Sequence, residues 1–336
     1  MSLALFATVA ALALVMAYYN GFHDASNAIS TAITTRSLPE STALAMAAIL
    51  NLLGALLGLL VITVSAQWAL QLLGLTRLAE ATSADPDLLG WALVSICLVT
   101  FGWEVATWWV GMPSSTWHAF YGSALGASVA VGAAAAWDHL AMMLVASIIG
   151  PLLAAGLSYA VMHAIIALGR HELLRIGHMR FAQTMSAGAV ATGHGMNDAR
   201  LPLAVIAVAA ASAGMSMSTA VSFMLPVAIA VAAGTLMGGH RIIRTIGRRL
   251  TDLSAAQGLA AETSAAATVG AAMAGLDVPI STSHTLASSV VGAGLAQGPR
   301  HVRWPVARSM VIVWLATPVV TAVCAASLTG VLLAII

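Results

Sequence analysis

The chain contains no lysine: its thirteen basic side chains are all arginine, and charged residues make up 7% of 336 positions. A soluble domain carries roughly 25% charge, so this chain could not cover a folded surface in water, and a soluble helical protein is excluded. A net charge of +1, with no dense basic stretch, excludes a phosphate-tracking nucleic-acid surface. The two cysteines, Cys97 and Cys324, lie in apolar runs and read as small core residues, not as a disulfide or a metal pair. The first 19 residues are apolar, lack a basic leading segment and run into Asn20-Gly21, so no cleaved signal peptide is expected.

What is present is hydrocarbon. Sixty per cent of the residues are hydrophobic and mean hydropathy is +0.95. Several apolar runs exceed the ~20 residues needed to cross a bilayer. They lie at about 2–35, 41–64, 88–110, 113–133 and 138–168, then at 181–212, 218–238, 255–275, 279–297 and 304–335. This predicts an all-α polytopic membrane protein with about ten crossings. Runs 2–35 and 138–168 are too long for one straight span, so broken or re-entrant helices are expected.

Arginine placement orients the chain. With the N-terminus outside, the inner loops hold Arg36, then Arg170, Arg175 and Arg180, then Arg241, Arg244, Arg248 and Arg249, then Arg300, Arg303 and Arg308. Arg77 alone falls outside, with Glu80, Asp85, Asp87 and Asp277, and Arg200 falls within a span. The positive-inside bias predicts a multi-pass protein of the plasma (inner) membrane with both termini outside.

Two polar motifs occur twice. Pro113-Ser114-Ser115-Thr116-Trp117-His118 and Pro279-Ile280-Ser281-Thr282-Ser283-His284 both fit P-x-S-T-x-H, and each has a glycine (Gly126, Gly292) eight residues past its histidine. His23-Asp24-Ala25 is echoed by Asn197-Asp198-Ala199. Matched polar breaks in two apolar halves mark a secondary transporter built from repeats. The repeats are placed at 1–168 and 181–336, joined by a basic connector at 169–180. Five crossings per half is odd, which turns the second half upside down relative to the first, so the motifs enter from opposite faces and meet near the midplane.

An ionised Asp24 deep in an apolar run costs about 3 kcal/mol to insert, so a cation, a proton or an opened helix end must compensate it. Gly21 could let the backbone leave the helix, freeing carbonyls beside Asp24, Asn27 and Ser30 to cage Na⁺; Gly195, Asn197 and Asp198 repeat the pattern. The plain alternative is that each aspartate caps a broken helix. The P-x-S-T-x-H clusters read as helix N-termini, where hydroxyls and free N–H groups hold an oxyanion without lysine or arginine. Their plain alternative is N-capping by Ser115 and Ser281. Glu104 and Glu262 are intramembrane acids with either a coupling or a helix-pairing role. His118 and His284 are candidate proton relays or cross-helix glue.

Together, N-G-F-H-D-A-S-N-A-I at 20–29, G-M-P-S-S-T-W-H at 111–118, G-M-N-D-A at 195–199, G-G-H-R-I-I at 238–243, Q-G-L-A-A-E-T at 257–263 and V-P-I-S-T-S-H at 278–284 resemble the inorganic phosphate transporter (PiT) family, in order and over nearly the whole chain. The resemblance implies a carrier that imports phosphate with Na⁺ or H⁺, sometimes as a metal–phosphate complex, and needs no cofactor. It assigns coupling ions to Asp24, Asn27, Asn197 and Asp198, and phosphate to Ser115, Thr116, Ser281, Thr282 and Ser283. Three departures stand out. Arg200-Leu201 replaces the usual Gln-Lys, which makes Arg200 a stand-in for a coupling cation or an anion ligand. Trp117 replaces a hydroxyl, and Glu104 stands where asparagine is common.

Rival readings are a sulfate permease of the same fold and a divalent-metal carrier using His23-Asp24 and His194-x-x-x-Asp198. An intramembrane hydrolase pairing Ser115 with His118 or Ser281 with His284 lacks a G-x-S-x-G elbow, so no enzyme is expected. The expected partners are inorganic phosphate, the coupling ion and the lipid bilayer; a homodimer is compatible with this reading.

Overall fold

Ala-, Leu- and Val-rich runs with no water to satisfy their backbone groups can bond internally only as helices. The computed structural model describes residues 1–170, 175–275 and 280–335. Among these, fifteen α-helices form: α1 (Leu3–Thr34), α2 (Glu40–Leu60), α3 (Ala66–Leu73), α4 (Thr76–Ala81), α5 (Pro86–Val110), α6 (Thr116–Val131), α7 (Trp137–Arg170), α8 (Ile176–Asp198), α9 (Arg200–Ser212), α10 (Met217–Ser222), α11 (Met224–Met237), α12 (His240–Arg244), α13 (Ala255–Gly275), α14 (Thr282–Leu295) and α15 (Trp304–Ile335). The expectations for Pro279, Asp277 and residues 171–174 of the connector lie outside the described residues.

Among the described residues, six helical stretches are long and apolar enough to cross a membrane: Leu3–Thr34, Glu40–Leu60, Pro86–Val110, Trp137–Gly169, Met217–Met237 and Trp304–Ile335. The runs at 113–133 and 279–297 become the shorter helices α6 and α14, of 16 and 14 residues. At 1.5 Å per residue these measure about 24 and 21 Å, less than the ~30 Å hydrocarbon core. The run at 181–212 is interrupted at Ala199, between α8 and α9.

One expectation is corrected. The runs at 2–35 and 138–168 are not broken: α1 is continuous over 32 residues and α7 over 34, Pro151 included. At about 48 and 51 Å, they are longer than the ~30 Å hydrocarbon core, an excess that unbroken helices accommodate by tilting or by extending past it. Gly21 does not open α1 either. It serves close packing instead, because a Cβ on Gly21 would strike the Val231 carbonyl of α11, as one on Gly195 would strike that of Asn51 on α2. Small residues at such crossings let membrane helices touch backbone to backbone.

The packing partners are reciprocal between the halves. α1 lies along α11 while α8 lies along α2; α6 lies along α15 while α14 lies along α7. α5 touches both α1 and α6, and α13 touches both α8 and α14. Polar ties gather at the two ends of α1 and α5. At one end the Met1 amino group donates to the Ser212 carbonyl at 2.8 Å and lies 3.7 Å from Asp87. At the other, Thr35 donates to Gln183 at 2.9 Å and Arg241 donates to the Trp109 carbonyl at 2.7 Å.

Candidate functional site

Polar side chains are not spread evenly along these helices. On α1, Asn20, His23, Asp24, Asn27, Ser30 and Thr31 fall at spacings of one to four residues along one side and are all buried. A stripe so polar survives in an apolar bundle only if its groups satisfy one another. Most of them do so, against the N-terminal turns of α6 and α14, the C-terminal turn of α8 and, for Thr31, Glu262 and Gln183, whereas Asn20 Oδ1, Asn27 Oδ1 and Ser30 Oγ have no partner among the described residues.

Two donor relays run through the centre. Asn20 Nδ2 donates to Thr116 Oγ1 at 2.8 Å, and the Thr116 hydroxyl donates to Glu104. Asn27 Nδ2 donates to Ser283 Oγ at 2.8 Å and lies 3.3 Å from Thr282 Oγ1; the Ser283 hydroxyl donates to Asp24 at 3.1 Å. In each relay an amide feeds a hydroxyl of a P-x-S-T-x-H cluster, and the hydroxyl feeds a buried carboxylate.

The aspartates are held differently. Asp24 Oδ1 lies 2.7 Å from His23 Nδ1, whose Nε2 is 3.1 Å from Thr107. Asp198 accepts from Asn197 Nδ2 at 2.6 Å, from Asn20 Nδ2 at 3.3 Å and from the Trp117 indole at 3.4 Å. His194 Nε2 bridges the pair, 2.9 Å from Asp198 Oδ2 and 3.8 Å from Asp24 Oδ2. One ligand atom each from Asp24, His194 and Asp198 fits within 4.8 Å, a spacing suited to one cation. Arg200 opens α9, half-buried, two residues beyond Asp198.

Ser115 and Ser281 are the N-caps of α6 and α14, accepting from the backbone N–H of His118 and His284 at 3.4 and 3.2 Å. Among the described residues neither hydroxyl hydrogen-bonds to an imidazole, so the Ser–His dyad a hydrolase would need is not formed; accepting from backbone leaves the hydroxyl hydrogens free to meet an anion. The other predicted residues sit off centre. Glu262 accepts from Thr31 and, at 3.5 Å, from Ser186. His118 bonds Ser147, and its ring packs 4.7 Å from that of His284, which stacks on Trp314 at 4.1 Å. Among the described residues, neither imidazole hydrogen-bonds to Asp24, Asp198, Glu104 or Glu262.

Sequence reasoning gave no role to Asn20, to Thr107 or to Ser114, whose hydroxyl lies 2.9 Å from that of Thr107 and 3.4 Å from His23 Nε2, and treated Trp117 as a lost ligand, although its indole N–H reaches Asp198. The clue to Asn20 was a lone amide in an apolar run, one turn before Asp24.

A sealed polar centre inside lipid-length helices defines a membrane transport protein. The model of the phosphate transporter family matches residues 20–176 and 166–325. A protein of Mycobacterium leprae, named a probable low-affinity inorganic phosphate transporter, is 34% identical over 325 residues, covering 91% of this chain and 72% of its own length. A protein of Bacillus subtilis with the same name is 28% identical, covering 91% and 90%. A solved structure described as the sodium-dependent phosphate transporter superposes with a TM-score of 0.82 at 20% identity, covering 99% of this chain and all of its own.

The chain belongs to the phosphate transporter family; it is a multi-pass membrane protein and a transporter rather than an enzyme.

Proposed function

We propose that the protein imports inorganic phosphate by cation symport through alternating access. The carrying observation is the pair of relays, Asn20–Thr116–Glu104 and Asn27–Ser283–Asp24. An incoming phosphate oxygen takes the Thr116 and Ser283 hydroxyl hydrogens, so Glu104 loses its Thr116 donor and Asp24 loses the Ser283 one while keeping its contact with His23. Each lost hydrogen bond to a charged group costs about 1.5–3 kcal/mol, and the anion adds like-charge repulsion. A cation or proton on the Asp24, Asn27, Asn197 and Asp198 group restores the balance. Phosphate therefore binds well only when the cation does, which is the thermodynamic requirement for symport.

Ser115, Ser281 and Thr282 add donors at the two helix ends, and Arg200 adds positive charge at the rim of the site. Glu262 and the His118–His284 pair act outside this exchange, as support. The reciprocal helix pairing supports ten crossings in two inverted repeats, 1–168 and 181–336, with α6 and α14 entering from opposite faces. The polar ties at the ends of α1 and α5 support the N-terminus on the face opposite the arginine-rich loop at 241–249, and α15, leading away from Arg300 and Arg303, carries the C-terminus to that same face in this reading. The named relative structure supports Na⁺ as the coupling ion.

A second reading follows from one observation: Asp24, His194 and Asp198 include a nitrogen donor, which suits a divalent cation better than Na⁺. In that reading the cargo is a metal–phosphate complex.

Uptake of labelled phosphate and sulfate into proteoliposomes, with a Na⁺ gradient, an H⁺ gradient or neither, tests the proposal. The expected result is gradient-driven phosphate accumulation that resists excess sulfate, because phosphate can donate a hydrogen bond to a freed carboxylate and sulfate cannot. Sulfate accumulation would reassign the substrate, and an absolute need for a divalent metal would favour the second reading.

A further inference from the structure

A cavity of about 1130 Å³ lies outside the polar centre, in a groove walled by α7, α14 and α15. Its walls are apolar and open sideways: Leu152 is 67% exposed, Leu315 62% and Ile312 55%. Its one charged lining residue is Arg308. Arg303, five residues earlier and just before α15, is already engaged by Asp252 at 2.7 Å.

The groove has two unlike ends. Near the start of α15 lie Trp304 and Arg308, the residue types that anchor at a membrane interface. Ten residues along, Trp314 closes it with His284 and His118, in the first turns of α14 and α6. Ten helical residues span about 15 Å, half of the ~30 Å hydrocarbon core. The groove is thus one leaflet deep, basic at the headgroup level and apolar below.

We infer that this groove is a binding site for one anionic phospholipid, with its headgroup phosphate at Arg308 and an acyl chain running down α14 to the His118–His284 contact. Charge complementarity at a single level and a depth of one leaflet select a lipid. A zwitterionic lipid offers the same phosphate but offsets it with its own ammonium group, which weakens the pairing with Arg308, and a second copy of the chain would have to bring an acid to it. The bound chain ends against the first turns of the two helices whose hydroxyls line the polar centre, so it braces their contact from the lipid side.

Native mass spectrometry of the full chain tests this, after incubation with equimolar phosphatidylglycerol and phosphatidylcholine of equal chain length. The expected result is retained phosphatidylglycerol, favoured about five-fold, the preference one arginine at the membrane surface supplies. Arg308→Lys should keep that preference and Arg308→Gln should erase it. Ser288→Trp, which fills the groove, should reduce retention of both lipids; Ile148→Trp repeats this from the facing wall if Ser288→Trp does not fold. Equal retention of the two lipids by the native protein, or an unchanged preference in Arg308→Gln, would overturn the site. So would a disulfide between two copies through Leu152→Cys in a Cys324→Ser background, which would assign the groove to a dimer contact. The readout is lipid retention, so it stands or falls independently of which ion the protein carries.

Discussion

Asp24 and Asp198 occupy matching places in matching motifs, yet the chain behaves differently after each. Beyond Asp24, α1 continues unbroken and stays polar through Asn27, Ser30 and Thr31. Beyond Asp198 the helix is interrupted at Ala199, and α9 is almost wholly apolar after Arg200. The third helices reflect this. Glu262 on α13 finds its hydroxyl on α1, at Thr31, whereas Glu104 on α5 turns to Thr116 in the centre. A duplicated motif therefore sets where charge is buried, while the side chains about two turns further along, polar on α1 and apolar on α9, differ with which carboxylate joins the site.

The comparison can be broken at its packing first. Gly21→Val and Gly195→Val should each separate a helix pair and abolish folded protein, read as loss of the monodisperse peak in detergent, because the neighbour at both places is backbone that cannot move aside. Gly270→Ala, with nothing near its would-be Cβ, should elute and melt as the native protein does. If Gly21→Val folds normally, the crossing is looser than described.

Next come the two aspartates. Asp24→Asn should lower gradient-driven uptake by about 100-fold, the loss of a charge-assisted contact at the coupling group, with an unchanged melting temperature. Asp198→Asn should lose uptake and also about 1–3 kcal/mol of stability, since it strands donors from Asn20, Asn197, His194 and Trp117. Gradient-driven uptake by Asp24→Asn would remove Asp24 from coupling; equal melting temperatures would make the two sites equivalent after all.

The glutamates should divide more gently. Glu104→Gln is expected to cut phosphate uptake about ten-fold, because the amide weakens the Thr116 relay. Glu262→Gln should leave KM for phosphate within about two-fold and shift thermal stability by about 1 kcal/mol. A larger transport defect in Glu262→Gln than in Glu104→Gln would reverse the assignment. The smallest effect belongs to Trp117→Thr, which restores a hydroxyl but removes the indole donor from Asp198. The phosphate-over-sulfate ratio should change by only about five-fold, the ~1 kcal/mol net worth of one exchanged hydrogen bond.

Much of this was readable beforehand, for physical reasons. The cost of burying Asp24, Asp198, Glu104 and Glu262 marks them wherever the helices lie, and their repetition marks the halves. The capping roles of Ser115 and Ser281 follow from proline-led hydroxyl clusters alone. What failed was finer. Gly21 beside Asp24 suggested an opened helix, but a glycine serves a break and a close crossing equally well, and only the Val231 carbonyl on α11 distinguishes them. Trp117 counted as a lost ligand, because no local rule says that its indole points toward a residue 81 positions away.

The sequence by itself determined that this chain lives in a membrane, that it is helical, that it carries a doubled set of buried acids and hydroxyls, and which family it resembles. These are properties of composition, period and repetition, which need no knowledge of neighbours. Tertiary structure alone decided that Asn20 and Asn27 feed Thr116 and Ser283, that His194 bridges the two aspartates, and that Glu104 joins the centre while Glu262 stands aside. Those choices belong to helices brought together from distant parts of the chain, where a buried polar group must accept whichever partner packing places within reach.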